Sequence, residues 1–321
     1  GLYWPAIELA VPLNCGDLPS GRGYALVRSA DALGIGMGAF MGTIAASIGQ
    51  LRLVYGVEAI CMASVLILIS VQPLLDERPM PQGTHSESST GKLDLTWLPP
   101  LLPVLVVSVV ATGILSLQQS ALPLDLVKGG LERPGLSESH SSALIAFQLT
   151  LLVLLQWPVG RWLSERSVGF GLSLSLVSFA TGCTLIGLSA LSASGTGLVM
   201  VALLPMAFAQ AAFLPTATEA VVEETPPEHR GLAMAMFSQC FALSAMAAPV
   251  VGGNLLDQQG HGLTLWIGVA AISLAVLPLV KGLRPRFQGG VQGRTNNLSM
   301  LKQGVQAASG SKERPVSSNN R

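Results

Sequence analysis

The chain has 321 residues, of which 50% are hydrophobic and only 11% are charged, and its formal net charge is zero. Soluble domains carry about 25% charged residues, so the composition excludes an ordinary soluble protein. A neutral chain also offers no basic surface for a nucleic-acid partner. The mean hydropathy of +0.55 indicates a membrane protein with several spans.

Uncharged runs along the chain predict the membrane-spanning helices. A bilayer core of about 30 Å needs about 20 apolar residues in each helix. The clearest case is the uncharged stretch 167–218, where the turn SASGTG divides two spans. Read in order, the runs predict eight helices, at residues 24–48, 53–71, 97–122, 141–163, 168–191, 198–220, 231–256 and 263–280. The predicted fold class is therefore all-α.

The segments outside these runs differ in character. Residues 1–13 are apolar but too short to cross, and the first residue is not Met, so we expect a chain that lacks its N-terminus. Residues 73–96 are rich in Ser, Pro and Gly and predict a flexible linker. Residues 282–321 form a basic Gly/Ser/Asn-rich segment and predict a disordered tail.

The positions of Lys and Arg predict the orientation of the chain. Loops on the cytoplasmic side of membrane proteins carry an excess of these residues. If the linker is cytoplasmic, its side holds the larger set: Arg22, Arg78, Lys92, Arg161, Arg166, Arg230, Lys281, Arg284 and Arg286. The opposite side holds only Arg52, Lys128 and Arg133. We therefore expect a cytoplasmic linker and tail.

Two sequence passages resemble a known family. They are GRWLSERSVG at residues 160–169 and EETPPEHRGLAMAMFSQCFALSAMAAPVVGG at residues 223–253. Together with six spans behind a polar linker, they resemble the C-terminal half of a major facilitator superfamily transporter. The resemblance implies that residues 1–72 are the C-terminal part of the N-terminal bundle, and that residues 97–281 are the C-terminal six-helix bundle.

The family also implies a conformational latch. Its cytoplasmic loops carry the pattern Gly-x-Leu-x-Asp-Arg-x-Gly, in which the acid and the base pair across helix ends. The counterparts in this chain are Leu163, Glu165 and Arg166, with Glu in place of Asp. The alternative is that Arg161 and Arg166 only anchor the helix end among anionic lipid headgroups.

Small residues and one proline mark two spans. Gly34, Gly38 and Gly42 recur every four residues and so share one helical face, as in helices that pack closely in membranes. By resemblance, they occupy the region of a glycine- and proline-rich motif found in antiporters of the family, although Ala39 stands at the proline position. A later span keeps a similar pattern in Pro249, Gly252 and Gly253. Plain helix packing is the preferred explanation of both patterns.

The chain offers few polar candidates for binding or coupling. Arg28 and Asp31 lie three residues apart on one face of a predicted span, where charges are costly and often functional. They form either a self-neutralising pair or gate, or a solute or proton site. By resemblance, the amides on cavity-lining helices complete the set: Gln118 with its neighbour Gln119, Gln148, Gln210 and Gln239. Hydrogen bonding between helices is the alternative for each amide.

The sequence predicts a secondary transporter rather than an enzyme. It contains no phosphate-binding Walker motif, GxSxG or HExxH, and we expect no cofactor and no metal. The resemblance implies proton-coupled efflux of a drug-like compound or metabolite by a monomer in a bacterial inner membrane. The alternatives are uptake of a sugar or other small metabolite, and a polytopic membrane enzyme or non-transporting scaffold.

Overall fold

The computed structural model describes residues 10–11, 20–47, 52–71, 96–280 and 283. Within these ranges the chain is helical and contains no strand. The helices are α1 (Ser20–Ser47), α2 (Leu53–Val71), α3 (Leu98–Lys128), α4 (Glu138–Leu163), α5 (Val168–Ser189), α6 (Gly195–Glu224), α7 (Arg230–Gln259), α8 (Leu263–Ala275) and α9 (Leu277–Val280). Nearly all of the predicted linker and tail lies outside the described residues.

Six helical segments of the described chain are long and apolar enough to cross a membrane. They are α3 to α7 and the continuous segment Leu263–Val280, which α8 and α9 form together. Helices also cover the two predicted spans before the linker. An all-α integral membrane protein with several spans is therefore confirmed.

Local signals explain where several helices begin and end. The Ser137 hydroxyl accepts a hydrogen bond from the His140 backbone at the start of α4, and Ser167 does the same for Phe170 at the start of α5. Gly260 closes α7 in the left-handed conformation, at φ 73°. The predicted span 97–122 ends before α3 does because Asp125 lies buried within this helix. Helix α6 extends beyond both ends of the predicted span 198–220.

Close approaches of small residues hold the bundle together. A side-chain carbon added at Gly171 of α5 would lie 2.7 Å from the Thr216 methyl of α6. One added at Gly252 of α7 would lie 2.9 Å from Ala121 of α3. Such contacts bring helix axes close and substitute for the hydrophobic effect, which is weak between helices in lipid. Helices α5 and α6 pack extensively together, as do α3 and α7.

Helix α1 packs against the following bundle mainly through its first half. Tyr24, Ala25 and Ala32 are buried, whereas Leu33 and Met37 are exposed. A side-chain carbon added at Gly160 of α4 would lie 2.6 Å from the Ala25 methyl. We call the end of the bundle where α1 begins the Arg22 end, and the opposite end, where α3 ends, the Arg133 end.

Candidate functional site

A cavity of about 380 Å³ lies between α1 and the helices α3, α6 and α7. Most of the surface of its wall is apolar, although two charged side chains, two amides and three hydroxyls also line it. The lining residues are Arg28, Asp31 and Ile35 of α1; Thr112, Leu115, Ser116 and Gln119 of α3; Gln210 and Leu214 of α6; and Ser238, Phe241 and Ala245 of α7. A concave, largely apolar pocket with a few polar groups is the usual form of a small-molecule site.

The two charged side chains that line the cavity differ in exposure. Arg28 Nη1 lies 3.6 Å from Asp31 Oδ2, and the Arg28 side chain is only 9% exposed, whereas that of Asp31 is 31% exposed. This distance exceeds the 2.7–2.9 Å or so of a strong charge-assisted hydrogen bond. The Asp31 side chain is therefore the more exposed of the two charged groups that line the cavity.

Hydrogen bonds fix the two helices that form the opposite wall. Thr112 and Ser116 lie one turn apart on α3, and Gln119 follows on the same face. The Thr112 and Ser244 hydroxyls lie 2.8 Å apart, and Ser244 also donates to the Val109 carbonyl of α3 at 3.3 Å. This buried contact sets the rotation of α3 relative to α7, and with it the groups presented to the cavity.

The structure separates the predicted glutamines into three environments. Gln210 lines the cavity. Gln148 is buried and donates to the Gln118 carbonyl oxygen at 3.0 Å, so this pair joins α4 to α3. Gln239 lies in a separate concavity, which Val109 of α3 and other residues of α7 also line. Gln119, the neighbour of Gln118, is the second amide of the cavity.

The predicted latch residues lie at the Arg22 end. Glu165 accepts a hydrogen bond from Arg22 at 2.6 Å, which connects the start of α1 to the joint between α4 and α5. The guanidinium of Arg166 lies over the rings of Trp162 and Phe170, at 5.7 and 5.9 Å. Because the Arg22 and Glu165 side chains are 33% and 63% exposed, their pair is worth only about 0–1 kcal/mol.

The predicted packing residues also differ in their surroundings. At Gly34, Gly38 and Gly253 an added side-chain carbon would meet nothing within 4 Å among the described residues. Gly252 lies against α3 as described above, and Pro249 is an exposed residue within α7. The surroundings of Gly42 lie outside the description.

A buried ion pair at the Arg133 end was not among the candidates predicted from sequence. Asp125 and Arg133 are 1% and 2% exposed, and Arg133 Nη2 lies 3.2 Å from Asp125 Oδ2. The predicted span ends at Leu122, so Asp125 was expected to lie in the loop that follows. Removing one partner of such a buried pair costs about 3–5 kcal/mol.

One of the comparisons with known proteins found a match. A family model described as Major Facilitator Superfamily matches residues 104–308, which is more than half of the sequence. The match begins in α3 and covers all the following helices. No curated protein matches the chain.

Proposed function

Because the chain belongs to the major facilitator superfamily, whose members are secondary transporters of small solutes, we propose that it exports amphipathic organic solutes in exchange for protons. The cavity between α1 and the following bundle is the proposed binding site. The solutes would be drug-like compounds or metabolites with an apolar body and few polar groups. In this proposal the protein works as a monomer in a bacterial inner membrane.

The composition of the cavity is the observation that carries this proposal. Ile35, Leu115, Leu214 and Phe241 offer apolar surface to the body of a solute. Amides and hydroxyls supply hydrogen bonds that do not depend on charge. A multiply charged solute would find only one carboxylate and one guanidinium, which already lie 3.6 Å apart, so a neutral or singly charged amphipathic compound fits better.

Asp31 is the proposed coupling residue. Its weak contact with Arg28 and its partial exposure to the cavity leave the carboxylate accessible to a proton. Solute and proton would use the same half-exposed group in alternation, so that binding of one favours release of the other. The solute and the proton then need no direct contact with each other. Exchange requires only two conformations of the protein that differ in their affinity for the solute and for the proton.

The Arg22–Glu165 ion pair is the proposed latch. It joins α1 to the α4–α5 joint next to the close contact of Ala25 with Gly160. These contacts hold the Arg22 end closed, whereas Leu33, Ile35 and Met37, farther along α1, are exposed. An exposed ion pair that contributes little free energy to stability can open on each cycle. Arg166, packed on two aromatic rings, would hold the joint in shape.

The proposal is tested with the protein purified from its complete reading frame, in liposomes that contain an acidic lumen. In vesicles whose outer surface is the predicted cytoplasmic face, we expect accumulation of ethidium and of radiolabelled chloramphenicol, but not of xylose. A protonophore should abolish the accumulation because it removes the driving gradient. If neither amphipathic compound accumulates above protein-free liposomes, export of such solutes is wrong.

Uptake of a sugar is the second candidate, and the polar part of the cavity favours it. Gln119, Gln210, Ser116 and Ser238 could bind sugar hydroxyls. Under this alternative, vesicles of the opposite orientation with an acidic exterior would accumulate xylose. Accumulation of xylose without any movement of ethidium would favour uptake over export.

A further inference from the structure

The Arg133 end of the bundle contains a buried polar cluster that the cavity does not use. Its centre is the carboxylate of Asp125, near the end of α3, and the guanidinium of Arg133, from the loop that follows. Neither residue lines the cavity. Along α3, Asp125 lies six residues beyond Gln119, or about 9 Å at the helical rise per residue.

The cluster connects three helices and a loop. Arg133 donates through Nη2 to the Asp125 carbonyl at 2.9 Å and through Nη1 to the Ser189 hydroxyl, at the end of α5. Trp266 of α8 donates its indole N–H to Asp125 Oδ2 at 3.1 Å. One buried ion pair therefore contacts the ends of α3 and α5 and the beginning of α8.

The backbone around the pair is fitted to it closely. Gly130 donates to the Arg133 carbonyl at 2.9 Å, and Glu132 donates to the Ala190 carbonyl at 2.9 Å. Gly129 has φ of +90°, a conformation that favours glycine. A side-chain carbon at Gly262 would lie 2.5 Å from Asp125 Oδ1, so only glycine leaves room for the carboxylate there.

The two ends of the bundle thus differ in what opening them would cost. Separation of Arg22 from Glu165 returns two half-exposed groups to water. Separation of Asp125 from Arg133 would leave two buried charges without compensation, which is the costly outcome for an ion pair. A conformational change that occurs on every cycle therefore costs less free energy if it breaks the Arg22–Glu165 contact and leaves the Asp125–Arg133 contact intact.

We propose that Asp125 and Arg133 form a permanent clamp that joins the ends of α3, α5 and α8 and the 129–137 loop into one rigid body during transport. The clamp acts by holding these elements together, without binding solute or carrying protons. It presupposes alternating access, which the family supplies, but no particular solute. The movements that open the cavity then occur between this body and the helices outside it.

Cross-linking across the clamp tests the proposal directly. Leu131 and Leu191 are exposed and flank the backbone hydrogen bond from Glu132 to Ala190. Leu131→Cys and Leu191→Cys would be joined by a short bifunctional thiol reagent, in a chain whose native cysteines are replaced by alanine. We expect ethidium transport to stay within about twofold of the unlinked protein, because elements of one rigid body do not move relative to each other.

A matched link at the opposite end serves as the control. Cysteines at Arg22 and Glu165, joined by the same reagent, connect elements that the latch must separate. This link should lower ethidium transport about tenfold or more. If the 131–191 link inhibits as strongly as the 22–165 link, the Arg133 end opens during the cycle and the clamp proposal is wrong.

Rescue separates a clamp from a chemical role. Arg133→Met should lower ethidium transport about tenfold, and the 131–191 link should restore most of it, because the link replaces the lost connection. A group that carried protons or bound solute could not be replaced in this way, so failure of the rescue would overturn the proposal. If Arg133→Met does not fold, Ser189→Ala removes a single hydrogen bond and permits the same comparison.

A second measurement tests the clamp without relying on the proposed solute. A cysteine at Ala245, in the cavity wall, can be labelled by an impermeant maleimide from either face of the membrane. Labelling from both faces in the 131–191 linked protein shows that alternating access continues, whether or not ethidium is transported. Loss of labelling from one face after this link would contradict the clamp even if ethidium proved not to be a solute.

Discussion

At the scale of single residues, Arg28 and Asp31 form the most consequential pair. Both lie on α1, line the cavity and approach within 3.6 Å. The sequence predicted the pair from its spacing of three residues. It could not predict which member is the more exposed, because the difference in exposure depends on how neighbouring helices cover Arg28.

We expect Asp31→Asn to lower the stability of the protein by about 1–3 kcal/mol, because it removes a carboxylate that compensates a buried guanidinium. The double variant with Arg28→Gln should be more stable than the single one, since no buried charge is then left. Thermal unfolding in detergent measures both. Equal destabilisation of the single and double variants would show that the pair does not compensate charge.

Two adjacent glutamines provide a second comparison. Gln119 lines the cavity, whereas Gln118 accepts a hydrogen bond from buried Gln148. Gln119→Ala should weaken ethidium binding about tenfold with little change in stability, and Gln118→Ala should cost about 1–3 kcal/mol of stability because it leaves Gln148 unsatisfied. Tryptophan-fluorescence titration with ethidium and thermal unfolding separate the two effects. The assignment of Gln119 to the site fails if both variants bind ethidium like the native protein.

At the scale of helices, close packing of α7 against α3 depends on Gly252. A side-chain carbon there would lie 2.9 Å from both Ala121 and Leu117, whereas one at Gly253 would meet nothing within 4 Å. Gly252→Val should therefore destabilise the protein by about 1–3 kcal/mol through overpacking. Gly253→Val is the matched control, since it changes helix propensity equally. Similar unfolding temperatures for the two variants would contradict this contact.

The sequence predicted the helices better than the site because the two depend on different physics. Uncharged runs of about 20 residues locate spans, since the thickness of the bilayer sets their length. The same rule ended α3 too early, because Asp125 is stabilised by Arg133 of the following loop and by Trp266, which lies 141 residues away along the chain. The rotation of α3 that turns Gln119 rather than Gln118 into the cavity follows from packing against α7. Hydropathy carries no signal for that rotation.

At the scale of the whole molecule, the Arg22–Glu165 pair links α1 to the bundle that follows. The family pattern predicted a latch of Glu165 and Arg166 but gave no indication of Arg22, since 143 residues separate Arg22 from Glu165 along the chain. That latch role remains a prediction. Its energy is small, so its effect should appear in rates rather than in solute affinity.

Charge exchange tests the latch. Glu165→Arg places two like charges together and should slow ethidium transport up to about tenfold while leaving ethidium binding nearly unchanged. The double exchange Arg22→Glu with Glu165→Arg restores opposite charges and should recover most of the rate. Initial rates of ethidium transport in liposomes measure this. If the double exchange is as slow as the single one, the pairing of these two residues does not control the cycle.

The account as a whole depends on coupling between solute and proton through Asp31. The most direct measurement is the pH inside liposomes that contain the trapped dye pyranine, recorded while ethidium is added outside. We expect ethidium entry to drive protons out of vesicles containing the native protein, and no proton movement with Asp31→Asn. Ethidium entry without proton movement in the native protein, or equal proton movement in Asp31→Asn, would contradict proton-coupled export through this residue.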